Sequence, residues 1–197
     1  MNEKFNTRPS LLLRASNPDD HQAFDEFAVY YRGFIEMVLV KMNINIDDRK
    51  DLEQDLLLKL WLDLSKFNID HERSNFRGWL SRVIKNVVLA FLNKNSRTSK
   101  ALEEISILNE SSKEDDLKQL IDKEWKAHII KLAVEKVRTH FDGNAFKIFT
   151  MTLDGMSTEE IAEELGLKEN SVYVLRARVK SRFQHEIRNL KSLLEFQ

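Results

Sequence analysis

The chain has 197 residues, and its 31 lysines and arginines against 32 aspartates and glutamates give a net charge of −1, which by itself predicts no partner. The absence of cysteine excludes a disulfide scaffold, a thiol nucleophile and a cysteine-ligated zinc site, and it fits a reducing compartment. Five glycines and two prolines are too few for a turn-rich sheet, residues 1–10 lack the apolar core of a signal peptide, and no apolar run could span a bilayer, so we expect a helical, cytoplasmic protein without membrane insertion.

The first half of the chain predicts three helices. The first starts at Asn17 as N-cap, with Pro18 in its first turn, and apolar residues then recur at three- and four-residue steps. This buried stripe contains Phe24, Phe27, Tyr31, Phe34, Val38 and Met42. A second helix is predicted over 48–66, where leucines recur every fourth residue, and a third over 75–95. Residues 68–74 form a polar loop between them.

The second half predicts a linker and then further helices. Residues 97–116 are rich in serine and glutamate without sustained periodicity, which indicates a flexible linker. Helical periodicity resumes near Leu117 and continues to Phe141, and a short helix over 145–153 follows. No segment alternates long enough to predict a sheet. The expected fold class is therefore all-α, with two small helical domains joined by a flexible linker.

The most specific local pattern lies over residues 157–183. It opens with a capping box at 157–160, in which a serine and a glutamate satisfy each other's free backbone amides. Ala162 is small enough for two helices to cross closely, Gly166 permits a sharp turn, and Val172 supplies an apolar anchor. This spacing predicts a helix-turn-helix.

The second helix of this motif would present a basic outer face. With Val172, Leu175 and Val179 inward, the residues near its N-terminus could enter a major groove, while Arg176, Lys180 and Arg182 are better placed for phosphates. The candidate DNA-binding set is Asn170, Ser171, Tyr173, Val174, Arg176, Ala177, Arg178 and Lys180. The alternative is a helical hairpin whose basic face touches no DNA.

Charge is strongly segregated along the chain. Residues 73–102 contain seven basic residues and no acid, and residues 170–191 contain six basic residues and one acid. Two such segments suggest two contacts with a polyanion, although solvated helix faces would give the same pattern. Phe76 and Trp79 lie among the first basic residues and could stack on unpaired bases, but Phe76 fits a core position better.

An amphipathic segment over 51–61 has an acidic outer edge that runs from Asp47 to Asp55. Because acids disfavour nucleic acid, this edge is more plausibly a docking surface for a basic protein, or else merely solvated. No catalytic or metal site is predicted, since no acid–base or nucleophile constellation occurs and the five histidines show no ligand spacing. We therefore expect no enzyme activity, no cofactor and no metal.

Both halves resemble the sigma factors of bacterial RNA polymerase, in the small extracytoplasmic-function (ECF) group. Residues 51–61 resemble the polymerase-binding helix of sigma region 2, and residues 76–86 resemble its promoter −10-reading helix. Residues 155–183 are similar to region 4, which reads the −35 element. The resemblance implies an N-terminal extension (1–18), region 2 (19–96), a linker (97–122), region 4 (123–190) and a C-terminal tail (191–197).

The resemblance also implies partners and residue roles. The partners would be promoter DNA and the RNA polymerase core, through the coiled coil of its largest subunit and its flap region. An anti-sigma factor could also bind. The implied polymerase-binding residues are Asp48, Asp51, Gln54, Asp55, Leu58 and Trp61. The implied −10 residues are Asn68, Arg73, Ser74, Asn75, Arg77, Trp79, Arg82, Lys85 and Asn86. The loop over 68–75 would hold a base extruded from the melted strand.

The chain departs from the family pattern at four positions. Ala90 and Asn93 stand where the family usually has aspartate and arginine, which weakens the basic patch of the −10 helix. Ser171 replaces the usual threonine. Lys168 replaces the serine or threonine that often opens the recognition helix, so the cap must come from another residue, with Asn170 as the candidate.

Two other functions compete with the sigma factor. One is a stand-alone helix-turn-helix regulator whose N-terminal module is a sensor or dimerisation domain, binding a duplex operator without polymerase. The other is a helical adaptor that binds only proteins.

Overall fold

The computed structural model describes residues 11–67, 76–95, 112–141 and 143–195. These residues form eight helices and no strand, which confirms the all-α fold class. The helices are α1 (Leu11–Ala15), α2 (His21–Lys41), α3 (Ile46–Leu64), α4 (Phe76–Asn95), α5 (Ser112–His140), α6 (Asn144–Leu153), α7 (Thr158–Leu165) and α8 (Glu169–Leu194). The predicted 68–75 loop and most of the predicted linker lie outside the described residues.

The chain divides into two compact units. The first unit contains the described residues up to His128 together with Leu193 to Glu195, and the second unit contains Ile129 to Ser192. Helix α5 thus contributes residues to both units. It begins at Ser112, which is five residues earlier than the predicted start of the helix at Leu117 and within the segment expected to be a linker.

The core of the first unit is built from the periodic residues of α2, α3 and α4. The leucines of α3 that recur every fourth residue, Leu52, Leu56, Leu60 and Leu64, are fully buried. From α2, Phe27, Phe34 and Val38 are fully buried as well, and Met42 lies half-buried beyond the end of the helix. Burying a side chain of this size contributes about 1.5–3 kcal/mol, so these stripes fix how the three helices pack.

The start of α2 differs from the expectation. Asp20, not Asn17, is the N-cap, and its carboxylate accepts a hydrogen bond from the backbone amide of Ala23 at 2.9 Å. The side chain of Asn17 instead accepts from the amide of Asp19 at 3.1 Å. Asn17 therefore shapes the turn before the helix, because it lies too early in the chain to reach the free amides of the first helical turn.

The second unit has two small apolar clusters. One joins α6, α7 and α8 through Ile148, Ile161, Ala162 and Val172. The other joins α5, α6 and α8 through Val137, Phe149 and Val179, and the ring of Phe183 packs at a tilt against Phe149 with centroids 5.2 Å apart. Helix α8 is therefore held along its inner face, and its outer face is left to solvent.

Candidate functional site

Local interactions fix the start of α7 and the turn from α7 into α8. The Ser157 hydroxyl accepts from the amide of Glu160 at 3.2 Å, and the Glu160 carboxylate accepts from the amide of Ser157 at 2.7 Å, so the predicted capping box is confirmed. This hydrogen bond from Ser157 holds the pKa of Glu160 below its usual range. Gly166 ends α7 with φ of 62°, the left-handed conformation that glycine adopts without strain.

The turn directs the N-terminal part of α8, the recognition helix of the motif, into solvent. Tyr173 and Val174 are 67% and 49% exposed. Of the other candidate DNA-binding residues, Asn170, Ser171, Ala177, Arg178 and Lys180 are exposed and Arg176 is half-buried. Because Ala162, Val172 and Val179 are buried beneath them, these side chains share one outer surface that has the size and charge to enter a groove of duplex DNA.

The N-terminus of α8 corrects the expected cap. The helix begins at Glu169, so Asn170 lies inside its first turn and is not the N-cap. Lys168 occupies the preceding position, and its carbonyl oxygen accepts from the amides of Ser171 and Val172 at 2.8 and 3.1 Å. Glu169 adds a negative charge at the positive end of the helix dipole, which stabilises a start that lacks a side-chain cap of the usual type.

Arg182 is tied to neighbours within the second unit. Its Nε lies 2.7 Å from a carboxylate oxygen of the buried Glu186, and its guanidinium donates to Nε2 of His140 at 2.7 Å. The ring of His140 is also held by the carbonyl of Lys136, 2.7 Å from Nδ1. Arg182 therefore stabilises the unit internally, unlike the exposed Lys180, and its predicted phosphate contact stays a prediction.

The first unit has a groove between α3 and α4 with a volume of about 840 Å³. Five of the six predicted polymerase-binding residues line it: Asp48, Asp51, Gln54, Asp55 and Leu58. The opposite wall comes from α4 through Asn86, Val87, Ala90, Phe91 and Lys94. The groove thus combines an acidic edge with apolar side chains, and it brings Asn86, a predicted −10 residue, next to the predicted polymerase-binding set.

Apolar residues of α3 are unusually exposed at this groove. Leu58 is 59% exposed and Leu62, one turn further on, is 52% exposed. Leu62 is absent from the predicted set, although its spacing of four residues from Leu58 could have indicated it. Lys59 also lines the groove, but it pairs with Asp63 at 2.8 Å, and this hydrogen bond lowers the pKa of Asp63.

Trp61 lies in a different setting from the other predicted polymerase-binding residues. Its ring stacks on the imidazole of His21, with centroids 5.1 Å apart, and meets the edge of Phe24 at 4.5 Å. It remains half-buried. Trp61 therefore joins the start of α2 to the end of α3, and its remaining exposed part is available to a partner.

The described −10 candidates are distributed over α4. Arg77, Arg82 and Asn86 are exposed, and Trp79 and Lys85 are half-buried. Trp79 packs against Phe67 and Phe76 with ring centroids 5.1 and 5.4 Å away, and Phe76 is buried, which confirms its core position. Asn68, Arg73, Ser74 and Asn75 lie outside the described residues, so their role stays a prediction.

Two carboxylates that the sequence did not indicate meet Arg77. Its Nε donates to Asp122 at 2.7 Å and its Nη1 donates to Glu195 at 3.3 Å. These residues are 45 and 118 positions away along the chain. No local pattern could have placed them there, because the contact depends on how the first unit folds.

The described residues contain neither a candidate metal site nor a candidate membrane span. No group of three or more histidine, aspartate or glutamate side chains in this part of the chain could hold a metal ion. Among the described helices, none is long and apolar enough to cross a membrane.

Family models match both halves of the chain. A model of Sigma-70 region 2 matches residues 27–98, and a model of Sigma-70, region 4 matches residues 144–183. Together the two matches cover more than half of the chain, in the order of regions 2 and 4. No curated protein matches it. With most of α2 and all of α3 and α4 inside the first match and the helix-turn-helix inside the second, the chain belongs to the sigma-70 family, whose members are not enzymes but factors that recognise promoters and initiate transcription.

Proposed function

We propose that this protein is a sigma factor of the ECF group, which directs cytoplasmic RNA polymerase core to specific promoters and assists their opening. The observation that carries the proposal is that regions 2 and 4 match in this order in one chain, with only 45 residues between the two matches. A sigma factor needs one surface for polymerase and two for DNA, and the described residues supply a candidate for each.

The groove between α3 and α4 is the candidate polymerase surface. Asp48, Asp51 and Asp55 repel phosphate and attract a basic protein surface, which argues against a DNA contact at this edge. The exposed Leu58 and Leu62 add apolar area that only a protein partner would bury well. A pair of basic, amphipathic helices, such as a coiled coil of the polymerase, has the matching chemistry.

The recognition helix α8 is the candidate surface for the −35 element. Near its N-terminus the exposed Tyr173 and Val174 provide apolar contact to bases, and Arg178 can donate two hydrogen bonds to a guanine. Lys180 lies further along, where a phosphate contact would add affinity without sequence preference. The capping box fixes the start of α7 and Gly166 forms the turn into α8, so the orientation of α8 is set before DNA arrives.

Helix α4 is the candidate surface for the melted −10 strand. Arg77 and Arg82 would contact phosphates, and the half-buried Trp79 offers an aromatic ring beside them. Opening a base pair costs a few kcal/mol of unstacking, which stacking and hydrogen bonds to the extruded base would offset. The chain then needs no nucleotide hydrolysis to assist opening.

Binding assays with and without polymerase core test the proposal. The full-length chain should co-elute with core, and the two together should give run-off transcripts from a subset of genomic fragments. Those fragments then serve as probes in gel-shift assays, where tight binding should require core. Binding without core would favour a stand-alone regulator. Failure of the purified chain both to co-elute with core and to bind DNA would favour a protein adaptor.

A further inference from the structure

We propose that Asp122 and Glu195 form an autoinhibitory clasp on Arg77, which single-stranded DNA must displace before its phosphate can bind there. The proposal rests on the proposed role of α4 in −10 binding. Asp122, Glu195 and Arg77 all belong to the first unit. Asp122 lies in α5, Glu195 follows the end of α8, and Arg77 lies in the first turn of α4.

In the clasp, the two carboxylates occupy hydrogen-bond donors of Arg77 that a phosphate would use. Nε of Arg77 donates to the carboxylate of Asp122 at 2.7 Å, and Nη1 donates to the carboxylate of Glu195 at 3.3 Å. Arginine binds carboxylates and phosphates through the same planar set of donors, so the two kinds of anion exclude each other at these atoms. A free Arg77 would attract DNA, and a clasped Arg77 presents two negative charges beside it.

A buried aromatic cluster holds Glu195 at this position. Its Oε1 also accepts from the indole Nε1 of Trp125 at 2.7 Å, and Trp125 is 3% exposed. Trp125 in turn stacks on Tyr31 with ring centroids 5.0 Å apart and meets the edge of Phe34 at 5.2 Å. The carboxylate therefore has a fixed place, unlike a mobile side chain that meets an arginine by chance on a surface.

The residue before Glu195 is anchored as well. The buried phenol of Tyr31 donates to the carbonyl oxygen of Leu194 at 3.0 Å, and Leu194 is 1% exposed. Burial raises the pKa of Tyr31 well above its usual range, with the charge of Glu195 adding to the rise, so the phenol keeps its proton and donates throughout the neutral range. Tyr31 of α2 thus fixes the backbone of Leu194, directly before Glu195.

The ion pairs of the clasp are weak enough to be reversible. The side chains of Arg77 and Asp122 are 43% and 37% exposed, and ion pairs at such exposure are weak. A strand that contacts several cations at once can therefore displace the carboxylates. The clasp biases the free protein against adventitious single-stranded DNA without blocking a promoter strand that polymerase core helps to present.

The test measures binding of a fluorescein-labelled, mixed-sequence 12-nucleotide single-stranded DNA to the full-length chain by fluorescence anisotropy. The isosteric double variant D122N/E195Q should bind about tenfold more tightly than wild type, and each single variant about threefold more tightly. The matched control is E26Q/E53Q, which removes two charges that pair with Arg14 and Arg32 in the same unit and should give less than a twofold change. Circular dichroism verifies the fold of every variant.

Variants in an R77A background separate this proposal from the proposed function. R77A should weaken binding, and adding D122N/E195Q to it should give no gain beyond that of E26Q/E53Q. If R77A weakens binding but D122N/E195Q leaves it unchanged or weaker, the carboxylates position the arginine and the clasp is wrong, while the −10 role of α4 stands. If R77A leaves binding unchanged, the −10 role of Arg77 fails and the clasp fails with it.

Discussion

Arg178 in the second unit and Arg77 in the first unit are both predicted to reach DNA, yet their electrostatic settings are opposite. Arg178 is exposed on α8, and within the described parts of the chain no carboxylate pairs with it. Arg77 is held by Asp122 and Glu195. Two segments with similar numbers of basic residues therefore need not be equally available to DNA, because availability depends on acidic residues from distant parts of the chain.

The difference has a consequence for how each unit would engage DNA. The proposed duplex-reading surface of α8 is already exposed, so binding there would cost little rearrangement. At α4 an existing ion pair must be exchanged for a phosphate contact. We expect the second unit to behave as a pre-formed anchor and the first unit as a surface that becomes competent on assembly.

The largest expected effect concerns the acidic groove of the first unit, which we propose as the surface that binds polymerase rather than DNA. Asp55→Arg places a cation beside the basic partner that we propose, and like charges at an interface cost several kcal/mol. We expect the affinity for polymerase core to fall about thirtyfold or more, measured by fluorescence titration of the labelled full-length chain with core. The charge reversal Asp25→Arg, at an exposed site on α2 away from the groove, is the control. Equal losses from both variants would reject the groove as the polymerase surface.

The next effect tests sequence reading by α8. Arg178→Ala removes a side chain able to donate two hydrogen bonds to one base, and such a contact is worth about 1–3 kcal/mol of discrimination. With a promoter found by run-off transcription, the variant holoenzyme should lose preference for the original −35 element over singly substituted versions. Retained preference at every −35 position would remove Arg178 from the base-reading set.

A smaller effect distinguishes phosphate contact from base reading. Lys180→Ala should weaken holoenzyme binding equally on all of these −35 sequences, because a phosphate contact carries no sequence information. The slope of log affinity against log salt concentration should fall by about one. A change confined to one −35 sequence would instead assign Lys180 to base reading and contradict the division between these two neighbouring residues.

The sequence predicted the parts of the fold whose causes are local. The buried leucines of α3 recur every fourth residue, and the partners of the capping box lie three residues apart, so both could be found without a structure. The cap of α2 was harder, because Asn17 and Asp20 are both good capping residues and only the backbone geometry decides which one reaches a free amide.

Contacts between distant segments could not be predicted in this way. The meeting of Arg77 with Asp122 and Glu195 depends on the stacking of Trp125 against Tyr31, across a separation for which periodicity gives no signal. The same holds for Arg182, whose partner His140 is 42 residues away. The sequence identified the basic residues of the candidate site, and the fold determined which of them are free.

The smallest effect concerns the capping box at the start of α7, the first helix of the helix-turn-helix, and it has a defined pH dependence. Because the amide of Ser157 donates to Glu160 and lowers its pKa, the ionised carboxylate stabilises the fold above the ordinary pKa of glutamate, and this contribution is lost as pH falls through the lowered pKa. Glu160→Gln keeps a hydrogen-bonding group but cannot titrate, so acidification through this range should reduce the thermal midpoint of wild type more than that of the variant. Ser157→Ala should lower stability by about 1 kcal/mol already at neutral pH. Parallel acid profiles for wild type and Glu160→Gln, measured by circular dichroism, would show that the ionised capping box does not stabilise the start of α7.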